Sequence, residues 1–205
     1  MGTRSLVILE DGYSCKGIYC LSDGDPKCLG LALVLGYTKT SRARQLIGVG
    51  AIGGIRFNLN NVALAHKQFD KSDSDMKTFH VMTSACPRDP KNLHVTLKEM
   101  IRHYFAEYVY WGRVIETPEG EAVAWSCLDT ANGEYVNLYE IDPKECVGTM
   151  YRVAKDERGW KFYVYSNGEE REEQMYGFGE EDCYKKIGEI EFAPERDARV
   201  GKNHK

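Results

Sequence analysis

EYVYWGRVI (residues 107–115) and EAVAWSCL (residues 121–128) decide the fold of this chain, because both runs are rich in β-branched and aromatic residues. Side chains along such runs alternate between the two faces of a strand, so each run predicts a β-strand. The segment between them contains Pro118 and Gly120, which favour a turn. The two runs therefore predict an antiparallel hairpin.

The same pattern continues toward the C-terminus. Three further runs share it and are separated by segments of turn-forming residues: EYVNLYEI (134–141), TMYRVA (149–154) and WKFYVYS (160–166). Short strands joined by short turns are typical of antiparallel sheet. The C-terminal half of the chain is thus predicted to form an antiparallel meander.

The N-terminal end predicts a second hairpin. TRSLVIL (3–9) and KGIYCL (16–21) are short β-rich runs on either side of Asp11-Gly12, a pair that forms turns readily. The predicted fold class is therefore α+β, with antiparallel sheet (N-terminal hairpin plus C-terminal meander) packed against a few short helices. We expect a single α+β domain over residues 1–193 and a charged C-terminal tail over residues 194–205.

Four segments predict helices. They are residues 27–37, residues 42–50, residues 91–105 and a short stretch around Cys183 to Ile187. The clearest pattern is that of 91–105, where apolar residues recur at steps of three and four and form one apolar face. Lys39, Arg42 and Arg44 crowd together near the second segment, and such a charge cluster predicts a solvated face.

The composition predicts a globular protein in a reducing compartment. The chain has 205 residues, a formal net charge of −4 and a mean hydropathy of −0.47. It contains no apolar stretch near the length of about 20 residues that a membrane span needs, and its N-terminus lacks a signal-peptide core. We therefore expect a cytoplasmic protein without a membrane partner. Seven cysteines without a Cys-x-x-Cys pair predict free thiols, no metal site and no cofactor.

Catalytic motifs are missing from the sequence. It contains neither G-x-S-x-G nor H-E-x-x-H, and its histidines are scattered without a motif around any of them. These observations assign no catalytic residues and favour a protein that is not an enzyme. The alternative is an enzyme whose site is dispersed along the chain and is not recognisable as a motif.

The opening of the chain has the most individual pattern. Its elements follow one another in the order Thr3-Arg4-Ser5, Ile18-Tyr19-Cys20, Asp23-Gly24, Pro26, Gly30, Leu33, Leu46-Ile47, Gly50 and Ile52. In these elements the chain resembles a widespread, largely uncharacterised group of small proteins from bacteriophage genomes, which begin M-x-T-R-S and carry an I-Y-C-x-x-D-G-Y-P-like motif. The resemblance covers the first 55 residues well and the last third loosely. The chain differs from the group at Leu21-Ser22 and at Asp25, where His-Trp and an aromatic residue are frequent.

The resemblance implies a phage-encoded accessory protein that works in the cytoplasm of the host cell. Together with the missing catalytic motifs, it favours a non-enzymatic protein that binds a host protein or a small nucleotide-like ligand, in host takeover or counter-defence. The resemblance brings no catalytic residues with it. The sequence does not predict the oligomeric state.

One anion-binding site is predicted at the opening. A tight turn at Gly24 and a helix that begins at Pro26, with Gly30 in its first turn, would expose backbone N–H groups to an anion. Arg4 on the neighbouring strand would reach a phosphate or carboxylate bound there. The alternative is a helix start whose N–H groups are capped by Asp23 and Asp25.

A second binding hypothesis involves RNA. Five aromatic residues on predicted strands would stack the bases of single-stranded RNA: Tyr108, Tyr110, Trp111, Tyr163 and Tyr165. The acidic net charge counts against a surface that follows phosphates over its whole length. RNA is therefore the alternative partner to a host protein or a small anionic ligand.

Overall fold

The computed structural model describes residues 2–12, 14–57, 78–81, 94–175 and 179–200, with the backbone alone for 94–95 and 192–200. The strands within these residues are β1 (Ser5–Asp11), β2 (Ser14–Cys20), β3 (Phe79–Val81), β4 (His94–Val95), β5 (Tyr108–Thr117), β6 (Gly120–Asp129), β7 (Tyr135–Val136), β8 (Thr149–Asp156), β9 (Gly159–Ser166) and β10 (Glu169–Met175). The α-helices within the same residues are α1 (Leu31–Gly36), α2 (Thr40–Val49), α3 (Leu97–Tyr104) and α4 (Glu180–Val200). A π-helical turn, Pro26–Gly30, leads directly into α1.

Seven of the described strands form one mixed sheet, in the order β4-β3-β2-β1-β5-β6-β7. The pairs β1–β2 and β5–β6 are the two predicted hairpins, and both are antiparallel. The hairpins meet through β1 and β5, which run parallel with Ser5 opposite Tyr108. The strands β8, β9 and β10 form a separate antiparallel sheet. The α+β class, with an N-terminal hairpin and a C-terminal meander, is thus confirmed.

The predicted strand over 134–141 is wrong for most of its length. Only Tyr135–Val136 pairs with β6, and the chain then turns through the 3-10 helix Leu138–Glu140. The side chain of Asn137 accepts a hydrogen bond from the backbone N–H of Tyr139 at 3.2 Å, which offers the backbone an alternative to the sheet. The meander therefore breaks at Asn137 and resumes as a second sheet.

The predicted helix over 91–105 is too long at its N-terminal end. The helix α3 begins after Thr96, whose hydroxyl accepts from the N–H of Glu99 while the Glu99 carboxylate accepts from the N–H of Thr96. This capping box fixes the helix start, and the preceding pair His94–Val95 forms β4 instead. Residues 91–93 lie outside the described residues.

The other predicted helices are present with different bounds. Residues 27–37 form the π-helical turn and α1, and the segment 42–50 belongs to α2, which begins at Thr40. The short helix expected around Cys183 to Ile187 is part of the longer α4. The boundary between a domain ending at 193 and a charged tail stays a prediction.

Both faces of the larger sheet carry buried apolar residues. On one face, Val7, Ile18 and Tyr110 belong to a cluster that includes residues of α1, α2, α4 and the second sheet. On the opposite face, Ile8 and Tyr19 belong to a second cluster, which α3 joins. The second sheet therefore packs on one side of the larger sheet, and the candidate site lies at that junction.

Candidate functional site

Two stretches that carry the phage-group resemblance, residues 18–24 and residues 46–52, lie side by side. The N–H groups of Leu21 and Ser22 donate to the carbonyl oxygens of Ile52 and Gly53, each at 2.9 Å. In return, the N–H of Ile52 donates to the carbonyl of Tyr19 at 2.8 Å. This short ladder brings the turn at Asp23 next to the loop formed by residues 53–57.

A cleft of about 630 Å³ opens beside that loop. Its walls come from the turn at Asp23, the loop 53–57, the second sheet and α4. The charged side chains that line it are Asp23, Arg56, Arg171 and Glu191. Apolar and aromatic residues form most of the remaining wall: Ile55, Phe57, Val147, Met150, Tyr151, Val164 and Ile190. The wall is completed by Cys28, Gly148, Thr149 and Ser166. Charged groups on an apolar wall of this size are typical of small-molecule sites.

Three elements hold the loop in place through Phe57 and its neighbour. The N–H of Phe57 donates to Glu191 Oε1 at 2.8 Å, and its carbonyl accepts from Arg42 Nη2 at 2.6 Å. The hydroxyl of Tyr37 donates to the carbonyl of Arg56. A Cβ at Gly36 would lie 2.7 Å from the Phe57 ring, so a glycine is needed there. The loop therefore presents Arg56 to the cleft from a fixed backbone.

Asp23 faces the same loop from the other segment. Its backbone is left-handed, with φ of 64°, a conformation that Asp tolerates better than most residues. A Cβ at Gly54 would overlap Asp23 Oδ2, so the carboxylate packs directly on the glycine backbone. From there Asp23 Oδ2 lies 3.9 Å from Arg56 Nη1, which is an ion pair too long for a hydrogen bond.

The pKa of the Tyr151 phenol is affected by the charged groups that line the cleft. Burial and, to a smaller extent, Glu191 raise the pKa of Tyr151 to about 12, against the lowering effect of Arg171 and Arg56. The hydroxyl therefore stays protonated at neutral pH. Its ring meets that of Phe57 edge to face at a centroid distance of 5.4 Å. Arg56, Arg171 and Glu191 thus all act on one group of the cleft wall.

Cys28 lines the cleft but is not an activated nucleophile. Its side chain is buried, and this burial, with a smaller effect of Asp23 and Asp25, raises the pKa of the thiol to about 12. Activated cysteines have the opposite shift, because the thiolate is the reactive form. The Cys28 thiol is therefore not the nucleophile of a nucleophile–base pair. The charged groups of the cleft are suited to binding a charged molecule.

The thiol pKa values predict a labelling pattern. At pH 8 we expect Cys28 and Cys127, whose pKa burial also raises to about 12, to react with iodoacetamide at least about a hundredfold more slowly than the partly exposed Cys146. Peptide mapping by mass spectrometry after timed quenching measures each rate. Denatured protein should label at all seven cysteines. Equal rates for Cys28 and Cys146 in the native protein would contradict this arrangement.

The predicted anion site at Arg4, Gly24 and Gly30 is not assembled as expected. The N–H of Gly24 donates to the carbonyl of Thr3 at 3.0 Å, and a Cβ at Gly30 would lie 2.6 Å from Leu138 Cδ2. Both glycines thus permit close packing. Arg4 Cζ lies 6.0 Å from the centroid of the Phe105 ring, on the opposite face of β1 from the Ser5 side chain that packs at Gly24.

The N–H groups of the helix start bind the chain itself. The Asp25 carboxylate accepts from the N–H of Lys27 at 2.8 Å, and the Asp25 carbonyl accepts from the N–H of Cys28 at 2.9 Å. The Asp23 carbonyl accepts from the N–H of Leu29 at 3.1 Å. This geometry corresponds to the capped helix start that the sequence offered as the alternative.

The five aromatic residues proposed for RNA lie in two different sheets. Tyr108, Tyr110 and Trp111 belong to β5, and Trp111 points to the opposite face from the other two. Tyr110 is fully buried and its hydroxyl donates to the carbonyl of Gly24 at 2.8 Å. In β9, Tyr165 is buried as well, while Tyr163 is partly exposed beside Arg152 at 4.5 Å. The structure does not bring the five rings together.

Sequence reasoning missed the residues that line the cleft. Arg56 follows the Gly53-Gly54 pair and has no motif around it, and Arg171 lies within an acidic segment without a motif. The sequence offered Asp23 only as an alternative cap of the helix start and not as part of a cleft. The signal for Asp23 was its place in the Asp23-Gly24 element of the resemblance, whereas Arg56 lies beyond the residues that the resemblance covers.

The arrangement defines a class of site, an apolar cleft with fixed charges of both signs. No protein-family model, curated protein or solved structure matches the chain. Within the described residues, no three His, Cys, Asp or Glu side chains are grouped closely enough to hold a metal ion. None of the helices described is both long and apolar enough to cross a membrane.

Proposed function

We propose that the chain is a non-enzymatic binding protein that takes a small anionic ligand in the cleft beside the loop 53–57. Arg56 and Arg171 are the groups that bind the anion, and the apolar wall holds the rest of the ligand. In the setting that the resemblance implies, the protein is a phage accessory factor in the host cytoplasm, which removes such a ligand or senses it during host takeover or counter-defence.

The observation that carries this proposal is the convergence of the two guanidinium groups on one partly apolar wall. Both residues line the cleft, and both lower the pKa of the Tyr151 phenol in its wall. Arg56 Nη1 donates to the carbonyl of Ile55 at 2.7 Å and lies 3.9 Å from Asp23 Oδ2, and Arg171 Nε contacts Glu173 Oε1 at 3.1 Å. A guanidinium carries five N–H donors, so both have donors to offer a phosphate or carboxylate.

A nucleotide tests the proposal directly. Calorimetric titration with adenosine monophosphate should show saturable binding, because the phosphate meets the guanidinium groups and the base meets the apolar wall. Arg56→Gln and Arg171→Gln should each weaken this binding by about ten- to a hundredfold, the value of one charge-assisted contact.

The matched control for these variants is Arg158→Gln. Arg158 is an exposed arginine in the turn between β8 and β9, at the opposite end of that hairpin from Thr149 and Ser166, which line the cleft. The hairpin separates the two ends by roughly 20 Å. Arg158→Gln changes the net charge equally and should leave the affinity unchanged. Equal weakening by all three variants, or no binding of adenosine monophosphate at millimolar concentration, would refute the proposal.

A further inference from the structure

The cleft holds charges of both signs, and this limits the chemistry of its ligand. Arg56, Arg171, Asp23 and Glu191 all line the same space, and Arg56 Nη1 lies 3.9 Å from Asp23 Oδ2. The electrostatic effects agree with this mixture at two separate points: the Cys28 thiol is affected in opposite directions by Asp23 and Arg56, and the Tyr151 phenol by Glu191 and the two arginines. For a ligand with anionic groups alone, repulsion by the two carboxylates offsets part of the attraction of the arginines, so it should bind less tightly than a ligand that also carries a cation.

The two carboxylates differ in how they are engaged. Glu191 Oε1 already accepts the N–H of Phe57 at 2.8 Å and so has a structural role. Asp23 is fixed by packing on Gly54 but reaches its cation, Arg56 Nη1, only at 3.9 Å. When an anion binds Arg56, it neutralises the positive charge that faces Asp23. The Asp23 carboxylate, whose side chain is 39% exposed, is then available to a second cation close to the bound anion.

We propose that the ligand of the cleft is zwitterionic: a small molecule that places an anionic group on Arg56 and Arg171 and an ammonium group on Asp23. An ammonium group supplies a positive charge and up to three hydrogen-bond donors, and the Asp23 carboxylate accepts hydrogen bonds from them. This inference rests on the proposed function, since the anion must first bind at the two arginines. It adds Asp23 as the residue that selects the ligand.

Two probes with the same anionic group distinguish the zwitterion inference from the anion site of the proposed function. Ethyl phosphate and O-phosphoethanolamine differ by one ammonium group at the end of the same short chain. Wild-type protein should bind O-phosphoethanolamine at least about tenfold more tightly than ethyl phosphate, a difference of about 1.4 kcal/mol. Binding of ethyl phosphate that equals or exceeds that of O-phosphoethanolamine overturns the inference and leaves the anion site standing. Failure of both probes to bind counts against the proposed function itself.

Asp23→Asn identifies the group that is responsible. Asn adopts the left-handed backbone of position 23 as readily as Asp does, so the fold is expected to stay intact, and thermal melts verify this. The tenfold preference should fall below about twofold in this variant, and ethyl phosphate should bind several times more tightly. A preference that survives Asp23→Asn overturns the assignment of the ammonium group to Asp23.

Two further variants remove one negative charge elsewhere. Glu191→Gln keeps a side-chain oxygen for the N–H of Phe57. Glu157→Gln lies in the exposed turn at the far end of the β8–β9 hairpin. Both should retain the preference for O-phosphoethanolamine. If Glu157→Gln lost the preference, the preference would be an effect of the protein's net charge. If Glu191→Gln lost it, the ammonium group would bind Glu191 and the assignment to Asp23 would be wrong.

Discussion

Replacing Arg42 with alanine is expected to lower the free energy of unfolding by about 3 to 6 kcal/mol. The side chain is 6% exposed, and it donates to two carbonyl groups, Gly36 at 2.8 Å and Phe57 at 2.6 Å. A hydrogen bond from a charged donor contributes about 1.5 to 3 kcal/mol, and both carbonyls would lose their partner. The guanidinium also stacks on the Tyr184 ring at 3.5 Å, so the variant leaves a cavity between α2 and α4.

The comparison for this variant is Arg44→Ala on the same helix. Arg44 forms an exposed two-armed pair with Asp11, at 2.6 and 2.9 Å, and exposed pairs contribute little to stability. Urea denaturation followed by circular dichroism measures both variants. Arg42→Lys should recover only part of the loss, because an ammonium group does not reproduce the fork that spans two carbonyls. If the Arg42→Ala protein were as stable as the Arg44→Ala protein, the buried hydrogen bonds of Arg42 would not have the stabilising role given to them here.

Tyr110→Ala is expected to lower the free energy of unfolding by about 3 to 5 kcal/mol, the range for a buried aromatic residue. The ring is fully buried in the larger cluster, and its hydroxyl holds the carbonyl of Gly24 at 2.8 Å. Tyr163→Ala is the matched substitution on the second sheet, where the ring is partly exposed, and it should cost far less. Chemical denaturation compares the two variants.

The same pair of variants bears on the RNA alternative. A base-stacking role would require Tyr110 to leave the core, so its replacement would change RNA binding without a large change in stability. Because Tyr110 is buried, we expect the opposite result: its replacement lowers the stability strongly. If Tyr110→Ala and Tyr163→Ala were equally stable, the packing of β5 against the Gly24 turn would be wrong.

Local sequence patterns predicted the hairpins because a hairpin needs only a turn and two flanking runs. Asp11-Gly12 and Pro118 with Gly120 mark both turns, and the strands follow on either side. The parallel pairing of β1 with β5 has no such local signal, since it joins segments about a hundred residues apart. The capping box of Thr96 and Glu99 was readable, but the apolar stripe of 91–105 obscured it.

The candidate site was harder to predict for the same reason. Its two arginines lie far apart in sequence and meet only after the second sheet packs beside the loop 53–57. Arg42 shows the opposite error. Its charge and its neighbours Lys39 and Arg44 indicated a solvated face, whereas the fold buries this one arginine to bind two carbonyls and a tyrosine ring. Local charge does not reveal which member of a cluster is buried.

The parallel contact between β1 and β5 also affects how the chain folds during synthesis. Arg4 and Glu107, which flank this contact, lie 103 positions apart, so the β1–β2 hairpin is complete long before β5 leaves the ribosome. Synthesis proceeds at roughly 5 to 20 residues per second. The edge of β1 that pairs with β5 therefore stays unpaired for about 5 to 20 seconds. Closing so long a loop is slow, and this step is expected to limit the folding rate. Until it occurs, the apolar residues of β1 are available to chaperones or to another nascent chain.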